Sequence, residues 1–257
     1  MNKMMATALM AAALSVSAGA AMADEVVSEG RAIDARVVKV KLGGVINLNV
    51  RQGATPSLTL IGDKRYVSKV SVSQSGDTLT IDTENRNSWN FGGNDKRELR
   101  AELVLPNLNE FVSHGVGASE VKGFTGKDVK LTLDGAGTIT VNSNYRNVVA
   151  RLGGVGSMTL NSGDSDQVDL NMRGAGHIEV NGNSKLLRAN LGGVGSLDAK
   201  KLQADAVELD MSGLGGATVY AKTSAHLKLN GLGSATVYGK PGNRSSTARG
   251  LGSVSWQ

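Results

Sequence analysis

Glu179 and Asp198 are the two residues whose type and spacing come nearest to a catalytic pair. They occupy the same position in two successive glycine-rich repeats, in a column that also contains Glu120, Thr140, Thr159, Thr218, Thr236 and Ser255. If the repeats stack as neighbouring strands, the two residues lie about 5 Å apart at the backbone, and paired carboxylates can perform glycoside chemistry. A solvent-facing strand column is polar in any case, so the pattern equally fits an ordinary surface.

The histidines are the other side chains suited to acid–base or metal chemistry. His114, His177 and His226 fall in different repeats and at different positions within them. We therefore expect three separate surface residues, and we assign no catalytic, cofactor-binding or metal-binding residue. The chain contains no cysteine, which excludes a thiolate nucleophile and Cys-ligated zinc or iron–sulfur centres.

The glycine motifs of the sequence do not match those of known ligand sites. No copy of the recurring Gly-x-Gly reads G-x-G-x-x-G, as a dinucleotide-binding turn requires. Calcium-binding β-rolls repeat G-G-x-G-x-D every nine residues, whereas Leu197 stands here where that Asp is needed. No cofactor is predicted.

One polar segment, Glu84–Lys96, carries two aromatic residues, Trp89 and Phe91. Such a loop either packs its aromatic side chains onto the neighbouring fold or presents them to a sugar or a partner surface. Both interpretations stay open at this stage.

The first 23 residues indicate export. Lys3 precedes an uncharged apolar stretch that ends in Ala21-Met22-Ala23, which is the pattern of a secretory signal peptide with its cleavage site. A membrane anchor is the alternative, but the stretch is marginal as a span. We expect an exported protein, periplasmic or at the cell surface of a Gram-negative bacterium, with no transmembrane segment after cleavage.

The charge of the chain is mildly basic, with a net charge of +5 at pH 7. Basic residues are scattered, with small clusters at Lys96, Arg97 and Arg100 and at Lys200 and Lys201. This pattern fits an ordinary surface or a weak attraction to anionic lipid or polysaccharide. It lacks the basic stripe with interleaved aromatics of nucleic-acid-binding proteins, so no nucleic-acid partner is expected.

The strands that would position these side chains belong to a repeat, and each copy of the repeat is marked by a Gly-x-Gly motif. The second glycines of its eight copies are Gly117, Gly137, Gly156, Gly176, Gly195, Gly215, Gly233 and Gly252, which stand 18–20 residues apart. The residue between the two glycines is apolar in every copy. A fixed period of this length is the signature of a stacked repeat architecture.

Apolar and polar residues alternate on both sides of each motif. Met158 and Leu160 alternate with polar residues after one motif, and Val168, Leu170 and Met172 do so before the next. Period-two alternation predicts half-buried strands, and glycine permits the tight corner between them. Each repeat is predicted as strand, corner, strand and polar loop. One coil alone buries too few apolar side chains to offset the entropy of ordering it, so the coils must stack.

The predicted fold is therefore all-β, a right-handed parallel β-helix (solenoid) of about 19 residues per coil with Gly-x-Gly corners. Residues 106–257 form the regular solenoid. Residues 24–105 are also β-rich but less regular, and they form an N-terminal β region that caps or continues the solenoid. Residues 24–257 together are expected to be one domain.

The chain resembles the head GIN domain family of putative auto-transporter adhesins. The segments that carry the resemblance are Val38–Val40, Ile46–Gly53, Gly76–Ile81, Leu103–Pro106, Gly154–Ser157 and Gly193–Ser196. The resemblance implies a right-handed β-helix in the bacterial envelope. It implies no catalytic residues.

Three functions remain compatible with the sequence. The first is a non-catalytic exported envelope protein, adhesin-like or scaffolding, that binds a glycan or a protein along its repeated faces. The second is a carbohydrate-active β-helix enzyme, a lyase or hydrolase, that uses Glu179 and Asp198. The third is a structural module that associates with itself.

Overall fold

The computed structural model describes residues 26–83 and 99–257, and their fold is all-β, with 77% strand and 2% helix. The elements in chain order are β1 (Val26–Arg31), β2 (Lys39–Leu42), β3 (Asn47–Gln52), β4 (Ser57–Asp63), α1 (Lys64–Val67), β5 (Val70–Ser75), β6 (Thr78–Thr83), β7 (Arg100–Leu105), β8 (Glu110–Ser113), β9 (Val116–Leu133), β10 (Ala136–Leu152), β11 (Val155–Met172), β12 (Ala175–Leu191), β13 (Val194–Met211), β14 (Leu214–Leu229), β15 (Leu232–Tyr238), β16 (Asn243–Ala248) and β17 (Ser253–Trp256). The predicted fold class is confirmed: parallel coils of 19–20 residues stack into a β-solenoid of about seven turns.

The regular part of the solenoid is built from β9 to β14. Each strand of this series pairs in parallel with the next, and the glycines of successive corners stand opposite one another, as Gly156 does to Gly137 and to Gly176. The last coils continue the same register, since β15 and β16 pair with β14 and β17 pairs with β15. Each column of the aligned sequence is therefore a column in space.

The polar segment of each repeat differs from the predicted loop. It is extended and belongs to the same strand as the two walls on either side, with register shifts such as the one between Asn142 and Asn147. Its inward side chains are buried, and the hydroxyls of Ser162, Ser165 and Ser184 donate to backbone carbonyls, as Ser165 Oγ does to Tyr145 O at 2.8 Å. Because these three hydroxyls are hydrogen-bonded inside the coil, the segment can form a third wall of the core.

The N-terminal half both continues the stack and adds antiparallel strands to it. The coil of β2 and β3 lies between two layers that follow it in sequence: β2 pairs in parallel with β6 and β8, and β3 pairs with β7 and β9. Strands β1, β4 and β5 pair antiparallel, β1 with β4, β4 with β7 and β5 with β6. A strand edge is an aggregation template, and antiparallel strands at the end of the stack cover part of it.

One continuous apolar core runs through the coils and into the N-terminal half. Phe111 and Phe124 are among its largest fully buried side chains. Tyr145 enters the same core, and its phenol donates a hydrogen bond to the carbonyl oxygen of Leu108 at 2.6 Å. Burial raises the pKa of the Tyr145 phenol well above its ordinary value.

Candidate functional site

The residues between the paired glycines form a continuous row on the outside of the solenoid, which we call the apolar ridge. Its members are Val116, Ala136, Val155, Ala175, Val194, Leu214, Leu232 and Leu251. From Val116 to Leu232 each member stands directly opposite the next in the strand register. All eight are exposed, and the valines and leucines show between 41% and 87% of their surface.

The glycines beside the ridge are explained by the packing of the coils. A Cβ placed on Gly213 or Gly215 would collide with the carbonyl oxygen of Gly193 or Gly195 in the preceding coil. The corner backbones are held together by hydrogen bonds, such as Leu214 N to Gly193 O at 3.0 Å. Glycine is therefore required immediately before and immediately after each ridge residue. As a result, neither chain neighbour of a ridge residue has a side chain.

The apolar character of the ridge is not explained by the packing of the coils. Strand propensity favours the valines of the ridge, but it does not favour the leucines and it disfavours the alanines. The ridge, with eight apolar residues in one exposed column, is therefore the candidate interaction surface. The exposure of the ridge can be read from the sequence. Each ridge residue stands three positions before the first buried column of the repeat, as Val155 stands before Met158. Residues separated by an odd number of positions in a strand point to opposite faces.

Two shallow depressions run beside the ridge, on the side of the preceding strand wall. One, of about 630 Å³, is lined by ridge residues from Ala175 to Leu232, by corner glycines and by Arg173 and Ser212. The other, of about 530 Å³, contains Lys130, Arg151 and Arg173 with a single carboxylate, Asp134. The ridge thus has apolar side chains on top and basic side chains at its flank.

Glu179 and Asp198 stand opposite each other on β12 and β13, as the sequence predicts. Both are half-buried, and both interact with neighbours on the same wall. Glu179 Oε1 accepts a hydrogen bond from Asn181 Nδ2 at 3.3 Å and lies 3.5 Å from Lys201 Nζ. Asp198 Oδ1 accepts a hydrogen bond from the backbone N–H of Lys200 at 3.0 Å. Each carboxylate of the pair is therefore held by neighbouring groups of the same wall.

The three histidines lie apart and contact different neighbours. His114 Nδ1 is 3.9 Å from Asp134 Oδ2, and His177 Nδ1 is 2.8 Å from Ser196 Oγ. His226 lines a groove of about 440 Å³ on the wall before the corner. Within residues 26–83 and 99–257, no three His, Asp or Glu side chains gather as a metal site would require.

Side chains of neighbouring coils also contact one another on the outer walls. Asn161 Nδ2 donates to Asn142 Oδ1 at 2.6 Å, and Asn181 Nδ2 donates to Asn161 Oδ1 at 2.9 Å. Near the C-terminal end, Lys200 Nζ lies 4.2 Å from the centre of the Tyr238 ring. These side chains contact one another along the outer walls.

Two sequence predictions fall outside the described residues. They are the signal peptide of residues 1–23 and the Trp89 and Phe91 segment. Across the part of the chain that the structure does describe, no helix has the length and apolar character that crossing a membrane demands.

Comparison with known proteins finds a family and several structures of the same fold. Residues 38–241 match the family described as "Putative auto-transporter adhesin, head GIN domain". A putative adhesin from Bacteroides fragilis is 20% identical, with a TM-score of 0.68 over 91% of this chain and 98% of that one. A putative adhesin from Parabacteroides merdae is 15% identical, with a TM-score of 0.73 over 91% of this chain and 96% of that one.

A putative lipid binding protein from Parabacteroides distasonis is 20% identical, with a TM-score of 0.67 over 90% of this chain and 96% of that one. No curated protein matches the sequence. Likeness at these identities establishes the shared fold.

Proposed function

We propose a non-catalytic binding role for this chain, which belongs to the head GIN domain family of putative auto-transporter adhesins. In this proposal the chain is exported through its signal peptide and works in the envelope of a Gram-negative bacterium, in the periplasm or at the cell surface. The solenoid is the scaffold, and the partner is bound along its length.

The apolar ridge is the observation that carries this proposal. Folding requires the corner glycines but leaves the ridge residues free, and all eight of these exposed positions are nevertheless apolar. Exposed apolar surface that folding does not require supports a partner-binding role. The candidate partners are an envelope glycan, an envelope protein or a second copy of the chain. The name of one structural neighbour adds lipid to them.

The experiment that tests this role is retention of envelope components by the immobilised exported protein. Soluble envelope proteins, glycan and membrane fragments are passed over the wild-type chain and over the triple variant Val194→Thr, Leu214→Thr and Leu232→Thr. We expect the wild type to retain at least one component and the ridge variant to retain several-fold less of it. A control with Thr159→Ser, Thr218→Ser and Thr236→Ser on the adjoining wall should behave as the wild type.

A chain that retains no envelope component would contradict the binding role. Equal retention by the wild type and the ridge variant would contradict the role of the ridge.

A carbohydrate-active enzyme is the second candidate, because Glu179 and Asp198 do stand on adjacent coils. The contacts of Glu179 with Asn181 and Lys201 weaken this candidate, since they hold one oxygen of the carboxylate, Oε1, against neighbours on the wall. Assay of the chain on envelope polysaccharides decides between the two. Cleavage that is lost in Glu179→Gln and Asp198→Asn would establish the enzyme, and we expect no cleavage.

A further inference from the structure

We propose that the apolar ridge inserts into an anionic phospholipid surface, so that the solenoid lies with its long axis along the membrane. This inference rests on the proposed function, because it names the partner of the same ridge. Four features of the ridge support it: its apolar content, its shape, the charges at the corners and the basic depression beside it.

The apolar content of the ridge increases toward the C-terminal end. Up to Val194 the ridge alternates valine with alanine, and from Leu214 on every member is leucine. The exposed fractions of Leu214, Leu232 and Leu251 are 47%, 55% and 87%. Exposed leucines on a surface that also bears basic groups are typical of segments that enter the boundary between headgroups and acyl chains.

The shape of the ridge suits a deformable partner. It is one residue wide, and with strands about 4.8 Å apart its eight members extend about 34 Å. Two rigid rows of this kind would touch along a line and bury well under the roughly 800 Å² per partner of a stable protein interface. A lipid surface closes around a narrow row and contacts its sides as well as its top.

The charges at the last five corners favour an anionic surface. These corners are Arg173–His177, Gly192–Ser196, Ser212–Gly216, Asn230–Ser234 and Arg249–Ser253, and they contain two arginines and no carboxylate. Arg173 and Arg249 are exposed, and neither forms an ion pair with a described residue. The nearest carboxylates along the chain are Glu179, Asp198 and Asp210, and all three belong to the adjoining strand walls.

The basic depression extends this charge pattern toward the first coils. Arg151 and Arg173 line it together with Lys130, whose Nζ is bound to Glu110 Oε1 at 2.6 Å. The two arginines therefore carry the positive charge beside the ridge, and one carboxylate of the depression, Asp134, opposes them. Basic groups held near a membrane attract anionic headgroups.

The experiment is flotation of the exported chain with vesicles of phosphatidylcholine alone and of phosphatidylcholine with phosphatidylglycerol. We expect binding to the mixed vesicles that weakens as salt is raised. The variant Leu214→Ser, Leu232→Ser and Leu251→Ser should bind at least tenfold more weakly, and Arg173→Gln with Arg249→Gln should lose much of the preference for phosphatidylglycerol. The wall control Thr159→Ser, Thr218→Ser and Thr236→Ser should bind as the wild type.

Thermal unfolding verifies that each variant is folded. If the triple leucine variant does not fold, Leu232→Thr alone replaces it, with a smaller but measurable loss expected. Absence of vesicle binding by the wild type, or equal binding by the wild type and the leucine variant, overturns the inference. If ridge variants then still lose a retained envelope protein or glycan, the binding role stands and the lipid partner is wrong.

Discussion

The corner glycines show how single residues set the spacing of the coils. Gly215 has a φ of +140°, and a Cβ there would collide with the carbonyl oxygen of Gly195 in the coil before. Since the colliding atom is backbone, the neighbouring coil has to move if a side chain is added. The glycine pattern that marks the repeat in the sequence is therefore a requirement of close stacking.

Substitution of Gly215 tests this requirement. We expect Gly215→Ala to lower the free energy of unfolding by roughly 2–5 kcal/mol, from steric overlap and a strained backbone together. The matched control is Gly30→Ala, because a Cβ at Gly30 meets no atom within 4 Å, and it should change stability by about 0.5 kcal/mol or less. Urea unfolding measures both, and equal losses in the two variants would refute the steric account.

Tyr145 gives a pH-dependent prediction at the same scale. Its phenol donates to Leu108 O at 2.6 Å, and burial raises its pKa above the ordinary value. In the unfolded chain the phenol ionises near pH 10, so above about pH 10 the unfolded state binds fewer protons and the folded state loses stability.

Removal of the phenol oxygen of Tyr145 should show both the loss of the hydrogen bond and the change in the pH dependence of stability. Tyr145→Phe is expected to be about 1 kcal/mol less stable than the wild type at pH 7, where the hydrogen bond is lost. Above about pH 10 the wild type should lose more stability than the variant, so that the difference narrows. Urea unfolding at neutral and alkaline pH measures this, and a difference that stays constant or widens would be the opposite result.

At the scale of the strand, inward and outward positions differ in how much a polar substitution should destabilise the fold. Val207 on β13 is fully buried, whereas Val194 on the same strand exposes 56% of its surface on the ridge. The same substitution at the two positions therefore distinguishes a residue that packs in the core from a residue that lies on the surface.

Threonine is the informative substitution because it matches valine in shape but carries a hydroxyl. Val207→Thr buries that hydroxyl and should cost about 1–3 kcal/mol in the free energy of unfolding. Val194→Thr should change it by about 0.5 kcal/mol or less. Denaturant unfolding of the pair checks this, and a large loss in Val194→Thr would mean that the ridge is part of the fold's own packing.

The strands could be predicted from the sequence to different degrees. Alternation around Met158 and Leu160 predicts their burial, and both are buried. The segments between the paired strands are predicted as loops because they are polar, yet hydrogen bonds such as Ser165 Oγ to Tyr145 O allow them to form the third wall of the core. The ridge is visible in the sequence as an apolar column three positions before the first buried column, as Val155 is before Met158, and this odd spacing places it on the outer face of the strand. The place of Glu179 beside Asp198 was predicted, whereas the contacts that occupy them depend on side-chain geometry.

At the scale of the whole molecule, the order of the stack differs from the order of the sequence. The coil of β2 and β3 lies between layers formed by β6 with β7 and by β8 with β9. Its core residues Leu48 and Val50 are fully buried between those layers. No pattern within residues 39–52 could indicate this, because the layers that cover the coil come later in the chain.

This arrangement leads us to propose that residues 24–257 are one domain. We expect residues 39–52 and residues 100–133 to lose amide protection together, because the first segment is paired with the second. Native-state hydrogen exchange monitored by mass spectrometry measures this. If residues 39–52 exchanged through an opening that left residues 116–133 protected, the N-terminal half would be a separate unit.

The measurement that tests the role of the ridge most directly is photo-crosslinking in cells that export the chain. A photo-reactive residue replaces Val194 on the ridge in one variant, Thr159 on the wall after the corner in a second and Lys228 on the wall before it in a third. If the ridge is the binding surface, the Val194 position gives crosslinks to an envelope component at least fivefold above the other two. Crosslinks only from the walls, or equal yields from all three positions, would contradict the account.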